Sequence, residues 1–191
     1  GIRFVDAAMR EMYVTGRMHN RARMIVASYL TKHLLTHWRI GQQWFENCLT
    51  DWDPASNAMG WQWSAGSGPD ATPYFRVFNP ETQLDKFDPD GVYVRRWIAE
   101  GRTTPTSTAL SYFDAIPHSW GMRPDDVYPA PVVDVKEGRA RALEAYENTK
   151  QVVSNLAAEN STPPFLLSIF LGHQASTQKA SSRELGFDSE E

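Results

Sequence analysis

One cysteine, Cys48, stands in a chain of 191 residues. A single thiol excludes an internal disulfide and fits a reducing compartment. Long apolar runs are missing too. The best candidate, Phe165–Leu171, falls far short of the ~20 residues that a membrane-crossing helix needs. No signal-peptide pattern opens the sequence. A cytoplasmic chain with no membrane partner is the expectation.

Familiar catalytic motifs are equally scarce. The sequence has no Gly-rich phosphate loop, no cysteine pair and no Ser-nucleophile motif, so conventional hydrolase or metalloenzyme chemistry has no residues to stand on. His33 and His37 have the four-residue spacing of many metal pairs, but no Glu completes an HExxH arrangement and no third ligand is evident. They read as surface or core imidazoles, and no metal is expected. Net positive charge is absent as well: the chain carries −4, which alone argues against nucleic acid. The distribution softens that argument. Residues 1–41 hold seven Arg or Lys against two acids, and residues 103–191 hold seven against twelve. A basic face on an acidic protein can still grip phosphates, because screening at physiological salt sets in over ~8 Å.

What is present is helical and aromatic. Aromatic residues make up 12% of the chain, with seven Trp. No internal repeat and no convincing strand alternation are seen, so the fold class is all-α. Val5, Ala8, Met9 and Met12 recur at helical spacing, with Gly16 as a stop. Asn20 is a candidate N-cap for a second helix over 21–39, whose stripe is Met24, Ala27, Leu30, Leu34, Leu35 and Trp38, ended by Gly41. A short helix over 42–49 follows. Asp53-Pro54 opens the next helix with Asp at the cap and Pro in the first turn, and the chain breaks after Ala65. Residues 70–91, rich in Pro, Asp and Asn but carrying large aromatics, read as a long ordered loop. Helix resumes over 93–100, and again in the second half of 132–148. Residues 151–191 are Ser/Thr/Ala/Gln-rich and are expected to be a loosely ordered, divergent tail after a domain spanning 1–150.

Two segments carry the chemistry. In DWDPASNAMGWQW (51–63), Asp51 and Asp53 flank Trp52 just before a helix. One can cap the helix while the other is solvated. Alternatively, both can line a site in which Arg23 pairs with a carboxylate beside a charged or redox-active group. Both readings stand on the residues alone. In RMHNRARM (17–24), His19, Asn20 and Arg21 lie at a helix start, where N–H groups and Arg attract phosphate. Trp38, Trp61 and Trp63 are either core or a set of indoles suited to electron transfer and to stacking an extruded base.

These stretches have a close likeness. VDAAMREMYVTGRMHNRARMIVASYLTKHLL, WRIGQQWF, the run from Asp51 to Trp97, and YPAPVVD resemble the FAD-binding domain of DNA photolyases and cryptochromes, of the class I cyclobutane-dimer type. The resemblance is dense from Gly1 to Trp97 and thinner to about Tyr146. It implies that the chain is the C-terminal part of a multi-helical FAD-binding domain within a longer protein. It also implies light-driven repair of cyclobutane pyrimidine dimers in DNA, by an electron lent from reduced FAD to a flipped-out dimer. The alternative is a cryptochrome-type blue-light photoreceptor using the same flavin and Trp relay.

Position by position, the resemblance makes Arg23, Asp51, Trp52, Asp53 and Asn57 the FAD-binding residues. Asn57 faces flavin N5, where an amide can donate or accept. Trp61 and then Trp38 form the inner part of a photoreduction relay. Asn20, Arg21, Met24 and Trp63 line the pocket for the flipped dimer. A second, antenna chromophore of folate or deazaflavin type is expected on an N-terminal domain outside this chain. The protein is expected to be a monomer whose partner is damaged DNA. Two departures stand out: Ala58-Met59 where the family often has Asn-Gly, and Arg17 where Trp is common.

Overall fold

The computed structural model describes residues 1–159, which contain helices and connecting turns but no strand. Eight α-helices follow in order: α1 (Arg3–Thr15), α2 (Asn20–Ser28), α3 (Trp38–Cys48), α4 (Pro54–Ala65), α5 (Pro80–Phe87), α6 (Val92–Trp97), α7 (Ser107–Ala115) and α8 (Val135–Glu159). A π-helical turn, Tyr29–His33, continues α2, and a 3-10 turn, His118–Trp120, follows α7. The all-α class is as expected. The expected tail lies outside the described residues beyond Glu159, up to which α8 runs unbroken past Lys150.

Helix α1 is the hub, packed against α2, α5, α6 and α7. It buries Phe4, Val5, Ala8 and Met12 in one cluster with Ile25 and Val26 of α2, Phe45 of α3 and Trp61 of α4. Its other side meets a second cluster through Ala7, with Val94, Trp97 and Ile98. Gly16 ends α1 at φ 70°, where an added Cβ would also strike the Thr50 side chain at 2.4 Å, so both backbone and space require glycine. A buried ion pair locks the hub: Arg10 donates to both carboxylate oxygens of Glu100 at 2.8 and 2.6 Å and lies over the Tyr112 ring.

The chain departs from the pattern-based reading at four places. The single helix over 21–39 is two elements. The π turn is followed by a break at residues 34–37, with Leu35 at φ 52°, and the chain restarts when His37 Nδ1 accepts the Arg39 N–H. The apolar stripe runs through this break, so periodicity cannot reveal it. Buried polar contacts mark it instead: Lys32 Nζ donates to the Arg76 carbonyl and Thr31 donates to Ala27. Gly41 therefore lies inside α3 rather than ending a helix. His19, not Asn20, caps α2 by accepting the Arg21 N–H. Finally, the expected loop over 70–91 contains α5, whose Asn79-Pro80 start repeats the grammar of Asp53-Pro54.

Candidate functional site

Helices α2 and α4, with the turn between α3 and α4, line a half-open cavity of about 360 Å³. Asn20, Arg23, Met24 and Ala27 face it from α2, four positions on one helical face. Asp51, Trp52 and Asp53 supply the turn, and Asn57, Gly60, Trp61 and Trp63 supply α4. Ser56 completes the α4 side, and Phe45 reaches in from α3.

The two acids do both things the sequence allowed. Asp53 caps α4 by accepting the Ser56 N–H at 2.7 Å, which holds its carboxyl below the usual range. Asp51 takes one nitrogen of Arg23 on both oxygens, at 2.9 and 2.8 Å. Arg23 Nε donates to the Met18 carbonyl at 2.8 Å, so the guanidinium is held from two sides. Asn57 donates through Nδ2 to the Gln42 carbonyl at 3.0 Å, which leaves its carbonyl oxygen free to accept. Trp61 is only 2% exposed and meets Phe45 edge-on, with centroids 4.9 Å apart.

Two of the expected residues do not reach the cavity wall. Arg21 is turned a step around α2 and lies over the Phe87 ring of α5. Trp38 sits at the start of α3, partly buried against the main core and stacked on His37. Ala27, Phe45, Ser56 and Gly60 are wall residues that sequence reasoning did not assign to the site; Ala27, expected only as part of the apolar stripe, was legible as the i+7 partner of Asn20. His33 is buried and His37 caps α3, and no group of three metal-ligating side chains occurs among the described residues.

The donor set suits a flat, polar-edged heteroaromatic group. Trp52 Nε1 and Trp61 Nε1 are buried with no hydrogen-bond partner, on side chains that line this cavity. Orphaned donors of this kind are uncommon and costly in a finished fold. With indole faces, one oriented amide and a guanidinium–carboxylate pair, the walls fit an isoalloxazine ring.

Residues 1–148 match the family model of the FAD binding domain of DNA photolyase, and the chain belongs to that family. It is 49% identical over 154 residues to the deoxyribodipyrimidine photo-lyase of Agrobacterium fabrum, covering 79% of this chain and 32% of that protein. The enzyme of the same name from Escherichia coli is 46% identical over 153 residues, covering 79% and 31%. Among solved structures, a bacterial class III photolyase from Agrobacterium tumefaciens superposes with a TM-score of 0.64 at 49% identity, over 79% of this chain and 32% of that one. A Synechocystis cryptochrome gives 0.59 at 37% identity, over 75% and 30%. The chain thus spans about a third of the length of the curated relatives it matches. Among the described residues, no helix is long and apolar enough to cross a membrane.

Proposed function

We propose that this chain is the C-terminal part of the FAD-binding domain of a DNA photolyase that repairs cyclobutane pyrimidine dimers. The carrying observation is convergence: the Arg23–Asp51 pair, the Asn57 amide and the Trp61 indole border one cavity with Met24 and Trp63. When bound, reduced FAD supplies a single electron under light. The residues of the chain bind, orient and screen. Arg23 and Asp51 hold a fixed pair of charges at the cavity rim. Asn57, its nitrogen engaged by Gln42, presents an oxygen that can accept a proton-bearing ring nitrogen.

With FAD bound, Trp61 and then Trp38 would supply electrons toward it, one at a time. Met24 and Trp63 form the wall against which an extruded dimer stacks. A dimer is poorly paired, which reduces the few kcal/mol that flipping usually costs. Asn20 lines the dimer pocket beside Met24 and Trp63, and Arg21, at the start of α2 but turned away from the cavity, holds the DNA backbone without reading its sequence. The partner is damaged DNA, the protein works as a cytoplasmic monomer, and a folate or deazaflavin antenna sits on a domain outside this chain.

The second reading is a blue-light photoreceptor, favoured by the likeness to the Synechocystis cryptochrome. One experiment separates them. The whole protein carrying this domain is reduced, mixed with dimer-containing single-stranded DNA, and assayed for dimer loss under blue light against a dark control. Light-dependent loss, abolished by Asn57→Ala or Trp63→Ala, is the expected result. Flavin that binds and photoreduces normally without dimer loss would overturn repair in favour of signalling.

A further inference from the structure

Helix α3 meets the outer edge of the Trp61 ring at the one point where it carries no side chain. A Cβ built on Gly41 would lie 2.0 Å from Trp61 Cη2, 2.4 Å from Cζ3 and 2.5 Å from Cζ2. Those atoms are the outer edge of the six-membered ring, so the indole rests directly on the α3 backbone. Gly41 is buried, lies well inside the helix and has no left-handed φ. Its backbone makes no demand for glycine, and alanine is the better helix former there. Space is the only reason left.

Trp38, Gly41 and Phe45 fall at i, i+3 and i+7, one stripe along α3. Phe45 abuts the Trp61 ring, and Trp38 packs against the same buried cluster. We propose that Gly41 is a positioning residue for Trp61. The missing side chain seats the indole on α3 between Trp38 and Phe45, and so sets its spacing both to Trp38 and to the cavity. The functional consequence rests on the flavin reading above; the geometry does not. Carbon atoms in contact sit about 3.5–4.0 Å apart. An alanine methyl would therefore move the ring off α3 by about 1.5 Å. With flavin bound, Trp61 would supply one electron to the photoexcited oxidised ring, Trp38 would return one to Trp61, and the outer part of the relay, with an external thiol as final reductant, would restore Trp38. Both transfers depend on where the ring sits.

The test begins without flavin. Gly41→Ala is introduced into the chain with Trp61 intact and again alongside Trp61→Phe, and thermal unfolding is followed by circular dichroism. Phenylalanine lacks the outer ring atoms that abut Gly41. Gly41→Ala should lower Tm by roughly 3–10 °C beside Trp61, and leave it unchanged or raise it alongside Trp61→Phe. A Gly41→Ala chain that folds only in company with Trp61→Phe is the same result. An equal fall in both backgrounds overturns the proposal. In the flavin-loaded whole protein, Gly41→Ala should slow photoreduction by roughly tenfold or more with flavin retention unchanged. An unaltered photoreduction rate overturns the positioning role. If Trp61→Phe itself leaves photoreduction intact, the relay reading fails, while the unfolding comparison still decides whether Gly41 seats Trp61.

Discussion

Replacing Glu100 with glutamine isolates one charge at the hub of the fold. Arg10 and Glu100 are each only 4% exposed. Burial disfavours the Glu100 carboxylate, yet hydrogen bonds and charge from Arg10 outweigh it and hold the group below its ordinary range. Glu100→Gln keeps the volume and strands a buried guanidinium. Breaking one partner of such a pair costs about 3–5 kcal/mol. Arg10 retains the Trp97 carbonyl at 3.3 Å and the faces of Tyr112 and Phe113, so the low end, about 3 kcal/mol, is expected. In a domain of this size that lowers Tm by roughly 6–12 °C. The pH dependence follows from the depressed folded-state pKa. The stabilisation is complete above the unfolded value near 4.5 and is lost as pH falls through the folded one. The gap between wild type and Glu100→Gln should hold constant from pH 7 down to about 5.5 and close in stronger acid. Urea unfolding across that range measures it. A neutral-pH loss under ~1 kcal/mol, or a gap that does not close in acid, refutes the reasoning. The apolar double replacement Arg10→Met with Glu100→Leu should recover most of the loss, since a packed apolar pair often matches a buried ion pair.

Three further outcomes are expected. Trp38→Phe should slow flavin photoreduction under steady illumination yet leave dimer repair by chemically pre-reduced protein unchanged; transient absorption and a repair assay read the two separately. Asp51→Asn should barely move Tm, because the Arg23 and Asp51 side chains are 28% and 61% exposed and such pairs contribute less than about 1 kcal/mol. The same change should weaken FAD retention by about tenfold, the size expected for a charge-assisted contact, as equilibrium dialysis of the whole protein would show. Burial, with Arg76 nearby, lowers Lys32 to about 8 from 10.5. The unfolded chain therefore holds a proton that the folded one has released, and wild type should gain stability relative to Lys32→Met between pH 8 and 10.5, by on the order of 3 kcal/mol; a pH-independent difference would contradict this.

Much of the site was legible because its residues obey rules that act along one element. Asp53-Pro54 announces a capped helix, and the Asp53 side chain does cap it. Helical spacing groups Asn20, Arg23, Met24 and Ala27 on one face and puts Arg21 about 100° away from Asn20, which is why the structure turns Arg21 toward Phe87 instead. The same spacing was available at the outset and would have separated Arg21 from its neighbours. Asn79-Pro80 was equally readable, but the surrounding prolines and aromatics outweighed the cap signature.

The unreadable features all depend on contacts between elements distant in sequence. The apolar stripe from Leu30 to Trp38 is continuous, while the chain breaks where Lys32 reaches across to the Arg76 carbonyl, 44 residues on. Gly41 looks like a helix terminator on local grounds, because glycine is a poor helix former. Its meaning lies in Trp61, twenty residues later, whose ring occupies the space a side chain would need. A local rule can say that glycine costs stability at position 41; only the packed structure shows what that cost makes room for. The Trp61 indole and the residue beneath it thus form one packed unit, and substitution at either position should be read against the other.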